Sequence, residues 1–336
     1  MKRVSPSGTA GRRAVVLGAL GAWALAGCQT APSASGPGVS PSVPPGTPPI
    51  APPISPPTAP PTPAAPPAPA PPPASRPLRP PRIGLALGGG AARGFAHIGV
   101  IQILEEAGIK PDLVVGTSAG SLVAALYASG RSGLELAATA LTMDEGAITD
   151  WAFPSRGVIR GEALARYVRE QTGGKLIEQM KLPLGIVATD LDSGAPVLFQ
   201  RGDTGVAVRA SSAVPAVFQP VRIGEREYVD GGLVSPVPVR YARQMGAEMV
   251  IAIDISSPPE GNSTSDSFRL LMQTVAIMMR SINRLELREA DIVLSPTLVG
   301  VASSDFSSRV RAIRAGREVA AQMLAEVRAK IAALSR

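Results

Sequence analysis

Gly116-Thr117-Ser118-Ala119-Gly120 sets a serine midway between two glycines. This is the G-x-S-x-G pattern of a nucleophile presented on a sharp strand-to-helix turn. The flanks agree: Leu113-Val114-Val115 reads as a buried strand, and an apolar helix follows through Tyr127. Small neighbours suit a turn that crowds its own helix, although a glycine-rich turn with a helix-capping serine would spell the same five letters. A serine hydroxyl attacks only with a base beside it. The sole histidine, His97, precedes Ser118, whereas a Ser-Asp-His hydrolase places its histidine last in the chain. That arrangement is excluded, and His97 reads as a packed helix residue. A carboxylate remains as the base. The candidate is Asp230 in Tyr228-Val229-Asp230-Gly231-Gly232, at the end of a predicted strand. A plain Asp-Gly turn is the alternative there.

A second glycine cluster, Gly88-Gly89-Gly90-Ala91-Ala92-Arg93-Gly94, follows the short strand Arg82–Leu87. A helix fits Phe95–Ala107, with Ile98, Ile101 and Leu104 at helical spacing and Gly108 as its stop. A dinucleotide fingerprint started at Gly88 requires glycine where Arg93 stands, and no P-loop Lys-Ser/Thr follows. What the loop does offer is unhindered backbone N–H groups at a helix N-terminus, which stabilise negative charge and suit an oxyanion. The order strand-loop-helix-strand-loop-helix is that of a parallel, doubly wound sheet.

These residues resemble the patatin-like phospholipases, acyl hydrolases with a Ser-Asp dyad. Glycine loop, Gly-Thr-Ser-Ala-Gly and Asp-Gly-Gly occur in the family's order, and Ala210-Ser211-Ser212-Ala213-Val214-Pro215 is typical of it. The likeness runs over roughly 83–255. It implies a three-layer α/β/α fold with a mostly parallel central sheet, in which Ser118 attacks an ester carbonyl and Asp230 takes its proton. It further implies that the N–H groups of Gly89, Gly90 and Ala91 hold the oxyanion. Aligned on Arg93-Gly94, the third loop glycine of the family is Ala91 here. Gly94, Gly116, Gly120, Gly231 and Gly232 support the motifs. Arg93 is open to three roles: fixing the loop, binding substrate phosphate, or orienting the helix through a salt bridge.

Composition bounds the rest. Of 336 residues 35 are Pro, and 23 of these lie in 31–81, a stretch without charge before Arg76. Residues 1–82 hold seven basic residues and no acid, leaving 26 Lys/Arg against 26 Asp/Glu in 83–336. The formal charge of +7 therefore belongs to the N-terminal region, and a nucleic-acid partner is not expected. One Cys and one His exclude an internal disulfide and a His-rich zinc site. No metal or cofactor is expected.

Lys2, Arg3, Arg12 and Arg13 precede 13 uncharged residues, Ala14–Ala26, too few to span a bilayer about 30 Å thick. The run ends in Leu25-Ala26-Gly27-Cys28, which resembles the lipobox of bacterial lipoproteins. It implies a signal peptide over 1–27, acylation of Cys28, and anchoring in the bacterial envelope. Gln29, in place of Asp, favours the outer membrane. The Arg12-Arg13 pair leaves Sec and twin-arginine export both open. Residues 28–82 then read as a lipidated cysteine and a disordered tether, whose composition cannot bury enough apolar surface to order itself. About 50 proline-rich residues reach on the order of 150 Å. Residues 83–336 form one domain.

Two further helices are predicted. Leu270–Leu287 carries Met272, Met278 and Met279, read as core packing in preference to an acyl pocket. Ser308–Leu334 has a basic first half (Arg309, Arg311, Arg314, Arg317), with docking on the domain favoured over contact with anionic lipid. The reading is a serine hydrolase of lipid acyl esters. Its rivals are a catalytically weak, membrane-tethered lipid-binding scaffold and an acyltransferase. The exact ester and the oligomeric state are not legible.

Overall fold

The architecture follows from strands that are apolar on both faces. A computed structural model describes residues 78–148, 150, 156–258, 264–302 and 304–336. The leader, Cys28 and nearly all of the tether lie outside the described residues. Strands β1 (Ile83–Leu87), β2 (Leu113–Thr117), β3 (Leu184–Asp190) and β7 (Met249–Ile253) are buried at every position, as expected of strands covered on both sides. Leu85, Leu87, Val114, Ile186 and Ile251 face one core, with α1 (Phe95–Glu106), α2 (Ala119–Ala128) and α8 (Arg309–Leu334). Ala86, Val115, Val187 and Ala252 face a second core under the short helix α6 (Val239–Gln244). The three layers are therefore helices, sheet, helix.

The sheet runs β5-β6-β3-β2-β1-β7-β8, with β4 (Pro196–Phe199) paired to β3. Strands β3, β2, β1, β7 and β8 (Ile292–Leu294) are parallel, while β6 (Arg226–Asp230) pairs antiparallel with β3 and β5 (Val221–Ile223) pairs antiparallel with β6. One detail of register builds the site. Along one flank of β3 lies β4, pairing Val187 with Leu198 and Ala188 with Val197. Along the other, β2 pairs Thr117 with Val187, and at the next residue β6 takes over, pairing Asp230 with Ala188. Two strands of opposite direction thus abut end to end, and the residues at their carboxyl tips face each other.

Helices α3 (Gly133–Thr142), α4 (Glu162–Thr172) and α5 (Thr204–Ser211) complete the domain. Helix α8 docks on the protein through Ala312, Ile313, Ala315 and Ala320, all buried. Arg317 pairs with Glu106 at 2.8 Å, and Arg309 donates to the Ala140 and Met143 carbonyls. Arg309 and Arg317 are thus half-buried and bonded within the protein, whereas Arg311 and Arg314 are exposed. Helix α7 (Ser267–Glu286) differs from the expectation of core packing, because only Asn283 and Glu286 of its residues are buried.

Candidate active site

Ser118 occupies the turn between β2 and α2 with φ 53° and ψ −125°, a left-handed backbone that a non-glycine residue adopts at a cost. The glycines two residues away make this turn feasible. A Cβ at Gly120 would sit 2.1 Å from the Leu87 carbonyl oxygen, and one at Gly116 would sit 2.3 Å from that of Gly120. No larger residue fits at either position. The strain is held by hydrogen bonds: the Ser118 N–H donates to Ser211 Oγ at 2.8 Å, and Ser211 Oγ donates to the Val187 carbonyl at 2.6 Å. Ser211 was not singled out as a site residue in sequence, because a serine within a family-typical stretch gives no sign of what it bonds to.

The turn brings Ser118 Oγ to Asp230 Oδ2 at 2.7 Å, with the hydroxyl donating. Asp230 is held in turn, since the Gly232 N–H donates to Oδ1 at 2.7 Å and Thr189 Oγ1 donates to its carbonyl at 2.8 Å. Both side chains are nearly buried. Burial pushes the Asp230 carboxyl up to about 6, against the opposing pull of the Ser118 and Gly232 hydrogen bonds. Gly231 packs against the Val187 carbonyl, and Gly94 abuts Ala119.

The glycine loop lies beside Ser118: a Cβ at Gly89 would come 3.1 Å from Ser118 Cβ. Of the three N–H groups assigned to the oxyanion, that of Gly89 is spent, donating to the Pro236 carbonyl at 2.9 Å. In this conformation the donors left for an oxyanion are Gly90 and Ala91. Ala91 has φ 49°, so the departure from glycine costs backbone strain while keeping the N–H. Arg93 is buried and, among the described residues, forms no ion pair with a carboxylate that would orient the helix. Its guanidinium donates to Ser257 Oγ at 2.8 Å and to the Ser256 carbonyl at 3.0 Å, tying the loop to the chain after β7. Burial lowers its pKa, with the Asp254 charge acting against that.

His97 is wholly buried in α1, and its Nε2–H donates to the Gly88 carbonyl at 2.8 Å. Burial holds the ring well below its ordinary value, at about 4, so it is neutral at physiological pH. The ring props the loop from behind. Its role is to position backbone.

Ser118, Asp230, Gly90, Ala91 and Arg93 open on one cavity of about 1210 Å³. Met272 and Met279 of α7 line it, while Met278 is exposed. Two of the three methionines thus face a cavity in place of the core. Among the described residues no group of three or more His, Cys, Asp or Glu gathers as metal ligands do.

A strained serine hydrogen-bonded to a buried carboxylate, beside the N–H groups of Gly90 and Ala91 at a helix start, is an arrangement that can carry out acyl transfer. The patatin-like phospholipase model matches residues 85–243, and over that stretch the chain is similar to that family. An uncharacterized NTE family protein of Mycobacterium tuberculosis is 36% identical over 208 residues, which is 61% of this chain and 58% of that protein. Human patatin-like phospholipase domain-containing protein 6 is 38% identical over 186 residues, 53% of this chain and 14% of its own length. The chain thus spans little more than half the length of the mycobacterial relative. The crystal structure of VipD from Legionella pneumophila shares the fold, with TM-score 0.52 and 14% identity over 74% of this chain and 68% of that one.

Proposed function

We propose that the protein is a serine acyl hydrolase of lipid esters, of the phospholipase A, lysophospholipase or carboxylesterase type. The observation that carries this reading is the 2.7 Å bond from Ser118 Oγ to Asp230 Oδ2 at the floor of a roomy, methionine-lined cavity. In the first half-reaction Oγ attacks the ester carbonyl carbon as its proton passes to Asp230. The carbonyl oxygen becomes an oxyanion facing the Gly90 and Ala91 N–H groups. The tetrahedral intermediate collapses, the C–O bond to the alcohol breaks, and Asp230 returns the proton to the leaving oxygen. Water repeats the sequence on the acyl-serine, with Asp230 again as base, and releases the fatty acid. A carboxyl near 6 is ionised at neutral pH yet basic enough to accept a proton in the transition state.

The test is incubation of the protein with a mixed lipid extract and identification of the products. Free fatty acid released by the wild type and absent with Ser118→Ala supports hydrolysis. Transfer of the acyl group to another lipid without free acid assigns an acyltransferase, and no turnover at all assigns the scaffold reading.

Tethering through an acylated Cys28 in the bacterial outer membrane, with 29–82 as spacer, belongs to the same proposal. Cys28→Ser should move the protein from the membrane fraction to the soluble fraction or to unprocessed precursor. Salt-resistant membrane association at mature length in that variant would exclude the lipobox reading.

A further inference from the structure

Helix α7 covers the catalytic turn and turns an apolar face outward. Its inner side faces the cavity, with Met272, Ala276 and Met279. Gly232, two residues past the base, lies under it: a Cβ there would meet Met279 Cε at 2.9 Å. On the opposite side Leu270, Leu271, Ile277, Met278 and Leu285 fall within about a third of the helix circumference. All five are exposed, Ile277 by 50%, Met278 by 53% and Leu285 by 64%. Such a contiguous patch marks an interaction surface.

Two observations name its occupant. Between Arg269 and Leu285 the helix carries no acid, and Arg284 stands exposed at one margin of the apolar face, in line with Arg280 and with Arg269, which pairs with Asp266 at 3.3 Å. The hydroxyls on that face are satisfied by the helix itself, Thr274 donating to the Leu270 carbonyl and Ser281 to that of Ile277. These two hydroxyls therefore do not present unpaired donors that hydrocarbon would penalise. A helix that is apolar on one side with a cation at its margin is suited to lie along a bilayer surface, with Arg284 reaching to headgroups.

We infer that the outer face of α7 docks on an anionic lipid bilayer, seating the mouth of the catalytic cavity on the membrane that supplies its substrate. That last step rests on the lipid-ester reading above; the docking itself does not. Lying flat, Leu270, Ile277 and Met278 enter the acyl boundary, while the arginine margin meets lipid phosphates.

The experiment uses the full chain with Cys28→Ser, so that acylation plays no part, and vesicles of phosphatidylcholine and phosphatidylglycerol at 3:1. The pair Ile277→Ser/Met278→Ser, both solvent-exposed, should keep turnover of a soluble short-chain ester and weaken vesicle binding at least tenfold. Arg284→Gln should weaken binding about fivefold, and only at low salt and on anionic vesicles. Binding arms read the docking even if no lipid is hydrolysed. Equal vesicle binding by wild type and the double variant overturns the inference. A wild-type dimer that the double variant dissociates, with vesicle binding unchanged, assigns the face to a second copy. If the double variant loses its cooperative melting transition, the Arg284→Gln salt series decides alone, and salt-independent binding overturns the docking.

Discussion

Asp230→Asn separates the catalytic use of the carboxylate from its burden on the fold. The amide has nearly the same shape, still accepts from the Gly232 N–H, and can donate to Ser118 Oγ, but it cannot take the serine proton. Turnover should fall by about 10²–10⁴-fold. Stability should move the other way. Burial raises the Asp230 carboxyl from 3.8 to about 6, so the folded state binds its proton more tightly than the unfolded chain does. The stability this contributes is complete below about 4, declines as pH rises to about 6, and is gone above it. At about 1.4 kcal/mol per unit, the penalty of an ionised Asp230 at pH 7 is on the order of 3 kcal/mol. The amide escapes it. The variant should therefore melt on the order of 5–10 °C higher than wild type at pH 7 and match it near pH 4. Thermal melts at pH 4, 5, 6, 7 and 8, beside ester turnover at each, make the measurement. Wild-type kcat/KM should also climb through a single ionisation near 6. A variant that melts lower than wild type at pH 7, or keeps turnover within tenfold, refutes the argument that this carboxylate is both desolvated and the base.

Two other substitutions probe the supports of the dyad. His97→Gln should retain most turnover and leave the pH profile above about 5 unmoved, because the ring is neutral there and its hydrogen bond goes to the Gly88 carbonyl. Loss of that fit should cost about 1–3 kcal/mol in denaturant melts. Ser211→Ala strips the acceptor from the Ser118 N–H and should lower kcat by about tenfold or more with little change in KM, since an orphaned buried donor costs about 1–3 kcal/mol. A rise in KM alone would mean that Ser211 shapes the substrate site and does not hold the turn.

Much of this site could be read before the structure. The turn at Ser118 announces itself because only small residues tolerate the approach of Gly120 to β1, so the physical constraint is written in residue type. A carboxylate as the candidate base followed from the absence of any histidine after residue 97. Strand β1, helix α1 and helix α8 were legible from apolar periodicity. Three things were not. The meeting of Ser118 with Asp230 depends on β6 succeeding β2 along β3, a pairing no local pattern encodes. The Gly89 N–H points at the Pro236 carbonyl, and glycine, free to turn either way, gives no hint of direction. Methionines at helical spacing look alike whether they fill a core or line a cavity. Only their burial in the folded chain placed Met272 and Met279 in the cavity and Met278 on the surface.

The central claim is that Ser118 is an activated nucleophile whose base is Asp230. It is tested most directly by covalent labelling with a fluorophosphonate ester, read by mass spectrometry of the peptide that contains residues 116–120. The account predicts a stoichiometric adduct on Ser118, no adduct in Ser118→Ala, labelling slowed at least 100-fold in Asp230→Asn, and near wild-type labelling in His97→Gln. An adduct on another serine, or labelling that survives Asp230→Asn but is lost in a folded His97→Gln variant, would contradict it.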